Sequence, residues 1–349
     1  MEKSFKMVVL SLFDGISCGM VALERANIKV DKYYSSEIDK YAIQVSERNY
    51  PNIIRLGDVT TWRSWNINWN EVDLLIGGSP CQGFSNAGNK LNFEDPRSKL
   101  FFVYVEILEH LKKVNPNIKF LLENVKMKKE WIEIISSHVG IEPIEINSAL
   151  LSAQNRKRLY WCNWQVKQPK DKGILLKDVI HEKDFSNKRI KTFNINPSKK
   201  GINGNVYSAN NEKSPTLTTN KGEGIKISVP IDNFKLSPHS ETGKIGHFKN
   251  GGLGMRLYSI NNKTVTLVGS KTEHYLINGY IRKLTPVECE RLQTLPDNYT
   301  DGISDAQRYK CLGNGWTIDV IAHILSSMDN PLRVEKAILK AEINQLTLF

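Results

Sequence analysis

Val72-Asp-Leu-Leu-Ile-Gly-Gly-Ser-Pro-Cys-Gln-Gly-Phe-Ser85 decides how the rest of the chain is read. Its apolar run, Val72 to Ile76, has the length and composition of a strand buried on both faces of a parallel sheet. It stops at Gly77-Gly78, where the backbone can turn and come close to a ligand. Ser79-Pro80 then holds Cys81 just past the strand's carboxyl end, where open α/β sheets gather ligands and reactive groups. Taken alone, a cysteine after proline is a small buried hydrophobe.

Strand-like runs alternate with helical patterns around this stretch. Met7–Phe13, Tyr33–Ser36, Ile53–Leu56 and Lys119–Glu123 read as further strands. Gly19–Ala26, Tyr41–Asn49, Ser98–Val114 and Lys128–His138 read as helices, and Glu145–Leu151 with Arg158–Trp164 as two neighbouring strands. The rhythm predicts an α/β fold with a Rossmann-like, doubly wound, mostly parallel sheet. The pattern changes near Gln165, so three parts are expected: a catalytic body over 1–165, a smaller β- and loop-rich domain over 166–280, and a helical return over 281–349. Thr285, Pro286 and Glu288 make a capping box that starts the return. Ile321, Ile324, Leu325 and Met328 form an apolar helix stripe, and a last helix is expected from Arg333 to Ile343.

The 349 residues carry 48 Lys and Arg against 37 Asp and Glu, a net charge of +11. Nearly all of the excess lies between 165 and 280, which holds 19 Lys and Arg, 9 Asp and Glu, and 12 of the 23 glycines. A basic, glycine-rich insert beside a near-neutral body predicts a module that faces nucleic acid. Within it, Tyr207-Ser-Ala-Asn with Ser214-Pro-Thr-Leu-Thr218 is echoed by Tyr258-Ser-Ile-Asn with Thr264-Val-Thr-Leu-Val268, as two similar strand-and-loop units would be. The five cysteines are odd in number and include no CxxC pair, which fits a reduced intracellular compartment without a metal site. The apolar stretch Met7 to Phe13 has a strand's length, not that of a signal peptide or membrane span.

Phe13-Asp-Gly-Ile-Ser-Cys-Gly19 is a glycine-bearing loop between strand and helix, where backbone N–H groups and a helix N-terminus meet a ligand. The GxGxxG fingerprint is absent, which opposes a nicotinamide enzyme. Glu37 follows the second strand and Asp58 the third. The first position suits ribose hydroxyls and the second an adenine amino group, although either acid serves equally as a helix cap. An adenosine cofactor lacking a pyrophosphate is the natural inference.

Together these segments resemble the DNA (cytosine-5) methyltransferases. Phe13-x-Gly15 is similar to that family's first motif, Glu37 to its second and Gly57-Asp58-Val59 to its third. Ser79-Pro80-Cys81-Gln82 resembles the nucleophile motif, Glu123-Asn124-Val125 the glutamate motif and Gln154-Asn-Arg156-Lys-Arg158 the QxRxR motif. Arg282-Lys-Leu-Thr-Pro-Val-Glu-Cys-Glu-Arg-Leu-Gln-Thr-Leu-Pro296 resembles the ninth motif and Gly313-Asn314 the tenth. The insert falls where the family keeps its target-recognition region. Leu10-Ser-Leu-Phe-Asp-Gly-Ile16 and Gly313-Asn-Gly-Trp316 look most like the animal de novo branch and its bacterial and phage relatives. Three positions depart from the pattern: Ser17 replaces a usual glycine, Ser98-Lys99 replaces a glycine and a small polar residue, and Trp316 stands where smaller residues are frequent.

The resemblance implies a class I methyltransferase that uses S-adenosyl-L-methionine, leaves S-adenosyl-L-homocysteine and needs no metal. It implies cofactor contacts from Phe13, Asp14, Gly15, Ile16, Ser17, Glu37, Ile38, Asp58, Val59, Ser79, Pro80, Leu100, Asn314, Gly315 and Trp316. Its partner would be double-stranded DNA, and no membrane. A monomeric, cytoplasmic protein of a prokaryote or phage is expected, with room for a cognate restriction endonuclease. In the implied chemistry the Cys81 thiolate adds to carbon 6 of cytosine. Glu123 supplies a hydrogen bond or proton at N3, Arg158 contacts O2, and Arg156 orders the site or holds a phosphate. The base must leave the stack to be reached. The loop Gly83–Arg97, with Gly83, Gly88 and three Asn, has the composition of a segment that closes over it. Gln82, Ser85, Arg97 and loops within 165–280 would meet the DNA. A tRNA cytosine methyltransferase shares the catalytic motifs, but the long basic insert favours a duplex-DNA reader. A catalytically silent DNA-binding homologue would have lost Cys81, Glu123 or Arg158, and all three are present.

Overall fold

The structure, a computed structural model, describes residues 6–80, 96–180 and 280–328 with six short strands between 193 and 277; of 96–98 and of the strands from 193 to 283 it describes the backbone. β1 (Met7–Leu12), β2 (Val30–Ser36), β3 (Ile54–Arg55), β4 (Leu74–Gly77), β5 (Lys119–Val125), β6 (Ile144–Asn147) and β7 (Lys157–Cys162) form a seven-stranded sheet in the order β3-β2-β1-β4-β5-β7-β6. Neighbours are parallel except β7, which is antiparallel to both β5 and β6. The chain builds outward from β1 through β2 to β3, then returns to place β4 on β1's other side. That reversal opens a crevice beyond the carboxyl ends of β1 and β4, the place where doubly wound sheets bind ligands. The expected fold class is the observed one.

Among the described residues seven helices accompany the strands: α1 (Cys18–Arg25), α2 (Lys40–Asn49), α3 (Pro96–Val114), α4 (Lys129–Val139), α5 (Pro286–Leu292), α6 (Asp305–Asn314) and α7 (Ile318–Leu325). The period-two alternation of β1 divides the core between the two faces of the sheet. Val9 joins α1, α2 and α7 in one cluster, while Leu10 and Leu12 join α3 and α4 in the other. All three are fully buried, each stabilising the fold by about 1.5–3 kcal/mol.

The helical return begins as its capping box predicts: Thr285 Oγ1 accepts from the Glu288 N–H at 3.3 Å, and Glu288 Oε2 accepts from the Thr285 N–H at 2.8 Å. Two elements differ from the sequence reading. The strand expected over 145–151 ends at Asn147, because the Asn147 side chain accepts from the Ala149 N–H at 3.1 Å and caps a short 3-10 turn. α6 has a short apolar signal in the sequence because, beside Cys311 and Leu312, it turns Arg308 inward, 3.0 Å from the fully buried Glu290. Beyond Trp164 the chain stays on the first body, with Leu176 and Val179 in its core.

In the insert, β8 (Phe193–Asn194), β9 (Asn205–Ser208) and β10 (Lys226–Ser228) form one sheet. β11 (Lys244–His247), β12 (Arg256–Ser259), β13 (His274–Ile277) and β14 (Tyr280–Lys283) form another. The echoed Tyr207 and Tyr258 occupy β9 and β12. Each of those strands is antiparallel to the strand before it and parallel to the strand after it. The second halves of the echo, 214–218 and 264–268, and the helix expected over 333–343 lie outside the described residues.

Candidate active site

Cys81, Gln82 and Ser85 lie outside the described residues, as does the side chain of Arg97. The frame that delivers Cys81 is described as far as Pro80. Asn124, buried on β5, donates from Nδ2 to Ser79 Oγ at 3.2 Å and so ties the strand-end segment to the glutamate motif. Gly78 lies at a close approach. A Cβ at this position would stand 3.0 Å from Glu123 Oε2 and 3.1 Å from Trp316 Nε1.

Glu123 and Arg158 meet because β5 and β7 pair antiparallel, with Glu123 opposite Tyr160 and Val125 opposite Arg158. Arg158 Nε is 3.1 Å from Glu123 Oε1, and both side chains are largely buried. Trp316 Nε1 donates to the other carboxylate oxygen, Oε2, at 3.3 Å. Arg156 goes elsewhere. Its Nη2 donates to the carbonyls of Gly313 at 3.2 Å and Gly315 at 3.0 Å. Burial, then the nearby Arg158 charge, pushes the Arg156 guanidinium down to about 10. One arginine of the QxRxR motif therefore faces the carboxylate and the other orders the turn that carries Trp316.

The turn after β1 uses its side chains inwardly. Asp14 accepts from Ser11 Oγ and Ser17 Oγ at 2.6 Å, Tyr33 Oη at 2.7 Å and Ser35 Oγ at 2.8 Å. Burial raises the Asp14 carboxyl above its ordinary value, against those hydrogen bonds. Ser17 sits at φ 58°, ψ 39°, the left-handed conformation that the usual glycine would adopt without strain. Its hydroxyl also meets Ser46 Oγ at 2.7 Å. The Ile16 side chain is in the core and its carbonyl accepts from Tyr299 Oη at 2.7 Å. Phe13 is half-buried against the α3 cluster.

Glu37 bridges the ends of β1 and β2: Oε2 accepts from the Gly15 N–H, and Oε1 from the N–H groups of Ile38 and Asp39, all at 2.8 Å. Ile38 is 72% exposed, the largest exposure among the big apolar side chains described. Asp58 is exposed and caps the next 3-10 turn through the Thr60 N–H at 2.9 Å, while Val59 is buried. Leu100 is half-buried at the start of α3. Asn314 is exposed and Gly315 half-buried at the end of α6. Among the described residues, no three His, Cys, Asp or Glu side chains group as a metal site, and no helix is long and apolar enough to cross a membrane.

A family model for the C-5 cytosine-specific DNA methylase matches residues 7–131 and 147–330. The chain belongs to that family. It is 30% identical over 437 aligned positions to the orphan methyltransferase M.SPRI of Bacillus phage SPR, covering 93% of this chain and 97% of that protein. It is 29% identical to the type II methyltransferase M.HhaI of Haemophilus parahaemolyticus over 93% of this chain and 94% of that one. Among solved structures it resembles the Entamoeba histolytica methyltransferase EhMeth (TM-score 0.61, 16% identity, 93% and 98% of the two chains). It also resembles a Spodoptera frugiperda DNMT2 variant (TM-score 0.56, 18% identity, 93% and 99%). Those two likenesses bear on the fold.

Several supporting residues carry no motif role in the sequence. Tyr33 and Ser35 read as strand interior, yet both donate to Asp14. Gln293 read as part of a motif without a role. Its Nε2 donates to the Leu312 carbonyl at 2.6 Å, and its Oε1 accepts from Thr317 Oγ1 at 2.8 Å, which fixes both flanks of the Gly313–Trp316 turn. A glutamine inside an amphipathic helix end was the available signal.

Proposed function

We propose that the chain transfers a methyl group from S-adenosyl-L-methionine to carbon 5 of a flipped cytosine in a specific duplex DNA sequence, through a covalent adduct on Cys81. The single observation that carries this reading is how near Gly78 lies to the Glu123 carboxyl group, since a Cβ there would stand 3.0 Å from Oε2. The strand-end segment that delivers Cys81 starts against the carboxylate paired with Arg158. The cofactor supplies an electrophilic methyl group, and the residues present suit it. Glu37 and Asp58 stand at successive strand ends, with the exposed Ile38 between them as an apolar surface for a purine ring. Asp14, Ile16, Ser17, Val59 and Arg156 serve through the backbone they hold; Phe13, Ser79, Pro80 and Leu100 supply further contacts. Asn314, Gly315 and Trp316 close the turn opposite.

Carbon 5 of cytosine is a poor nucleophile until carbon 6 is attacked. The Cys81 thiolate adds to carbon 6, while Glu123 hydrogen-bonds N3 and Arg158 stabilises charge at O2. After methylation a base removes the carbon 5 proton and Cys81 departs, restoring the ring. The target is extruded from the duplex at a cost of a few kcal/mol, with Gln82, Ser85 and Arg97 on the DNA and the 166–280 domain reading sequence. S-adenosyl-L-homocysteine is the product of a monomeric, cytoplasmic enzyme that can accompany a restriction endonuclease.

Labelled S-adenosylmethionine incubated with the protein and either duplex DNA or tRNA tests this. Label is expected in the DNA. Label in tRNA alone, or tight DNA binding with no label, overturns the reading. C81S should bind DNA without transfer, and retained turnover would remove the covalent step.

A further inference from the structure

The Glu123 carboxyl group is held from two directions. Arg158 on β7 takes Oε1 at 3.1 Å. Trp316, 193 residues away in sequence, donates its indole N–H to Oε2 at 3.3 Å. With Arg158 alone, the carboxyl group is free to pivot about one contact; a second donor removes that freedom. A Cβ on Gly78 would stand 3.0 Å from Oε2 and 3.1 Å from the indole nitrogen, so a side chain there would press on both.

The indole direction is itself set by the fold. Trp316 packs against the α1 and α7 core cluster. The preceding carbonyl, of Gly315, accepts from Arg156 at 3.0 Å and from Gln293 at 3.3 Å. The following residue, Thr317, is tied through Oγ1 to Gln293 Oε1 and receives the Ser148 hydroxyl at 3.0 Å. A backbone pinned on both sides leaves the ring few orientations, so its N–H is pre-aimed at the carboxylate.

From this geometry we infer that Trp316 is a positioning residue for Glu123, tying the cofactor-side turn to the group that meets the target base. The inference rests on the function proposed above, in which Glu123 faces the cytosine. The larger residue at this place in the turn then has a purpose: its indole reaches Glu123 and donates to it. Loss of this hydrogen bond lets the carboxyl group swing away from its working position, which lowers transfer without a matching loss of cofactor affinity.

The test is a double-mutant cycle with the full chain, using labelled S-adenosylmethionine and plasmid DNA from a methylation-free host. W316F keeps the apolar ring and loses the donor. Its kcat should fall about tenfold, with the KM for S-adenosylmethionine within about twofold of wild type. In the E123Q background the same change should cost nothing further, because Trp316 acts through Glu123. An unchanged kcat, a loss confined to KM, or effects that multiply in the double variant would each overturn the inference. Should W316F fail to fold, W316L, which also lacks the donor, must show the same kcat loss and the same absence of effect on E123Q. No label in DNA with the wild-type protein would instead sink the proposed function itself.

Discussion

Arg158 Nε lies 3.1 Å from Glu123 Oε1 across the antiparallel pair of β7 and β5. The pair is largely shielded from water, so the guanidinium acts at short range on whatever charge develops beside it. R158A should lower kcat for DNA methylation by about 10²–10³, and R158K, which keeps charge but loses the planar donor, should fall between. Steady-state label transfer measures both. Wild-type rates for R158A would leave the arginine without its part in the chemistry.

Ser17 combines a left-handed backbone with two buried hydrogen bonds. The conformation costs about 1–2 kcal/mol for a residue with a Cβ. S17A keeps that cost and loses both bonds, so it should be less stable by about 1–3 kcal/mol. S17G loses the same bonds but relieves the strain and should lie closer to wild type. Urea unfolding ranks the three, and an S17G weaker than S17A would contradict the geometry.

The buried Asp14 predicts a direction with pH. Its carboxyl is raised in the folded protein, mainly by burial, so the native state holds the proton more tightly than the unfolded chain. Its contribution therefore favours folding at low pH and is lost as pH climbs through the raised native value. D14N removes this titration. Any stability advantage of wild type over D14N in thermal midpoint should shrink as pH rises; an advantage that grows would reverse the assigned sign.

Burial pushes the thiols of Cys18 and Cys311 up to about 12 and that of Cys162 up to about 11. At about pH 8 their thiolate fractions are ~10⁻³ or lower. Cys289 is shielded by burial as well, so rapid alkylation of the native protein by N-ethylmaleimide should fall on Cys81, as mass spectrometry of the labelled peptides would report. A fast phase surviving in C81S would assign the reactive thiol elsewhere.

Local sequence was enough for the sheet that builds this protein. The strands from Met7, Val72 and Lys119, and the helix begun by Thr285 and Glu288, follow from apolar period and capping, which are properties of a few adjacent residues. The family motifs were equally legible, and Glu123 and Arg158 fall together as their motifs imply. What each side chain touches was not. Arg156 and Arg158 share the parity of a strand, which would put both on one face. Only the backbone bend held by Asn147, which accepts from the Arg156 N–H at 3.0 Å, keeps Arg156 out of β7 and sends it to Gly313 and Gly315. Asp14 reads as a ligand contact until β1 and β2 bring four hydroxyls onto it. Trp316 reaches Glu123 because the last helices fold back over the sheet. Period and propensity are carried by neighbours in the chain, but hydrogen-bond partners are chosen by segments hundreds of residues apart, and packing alone brings those together.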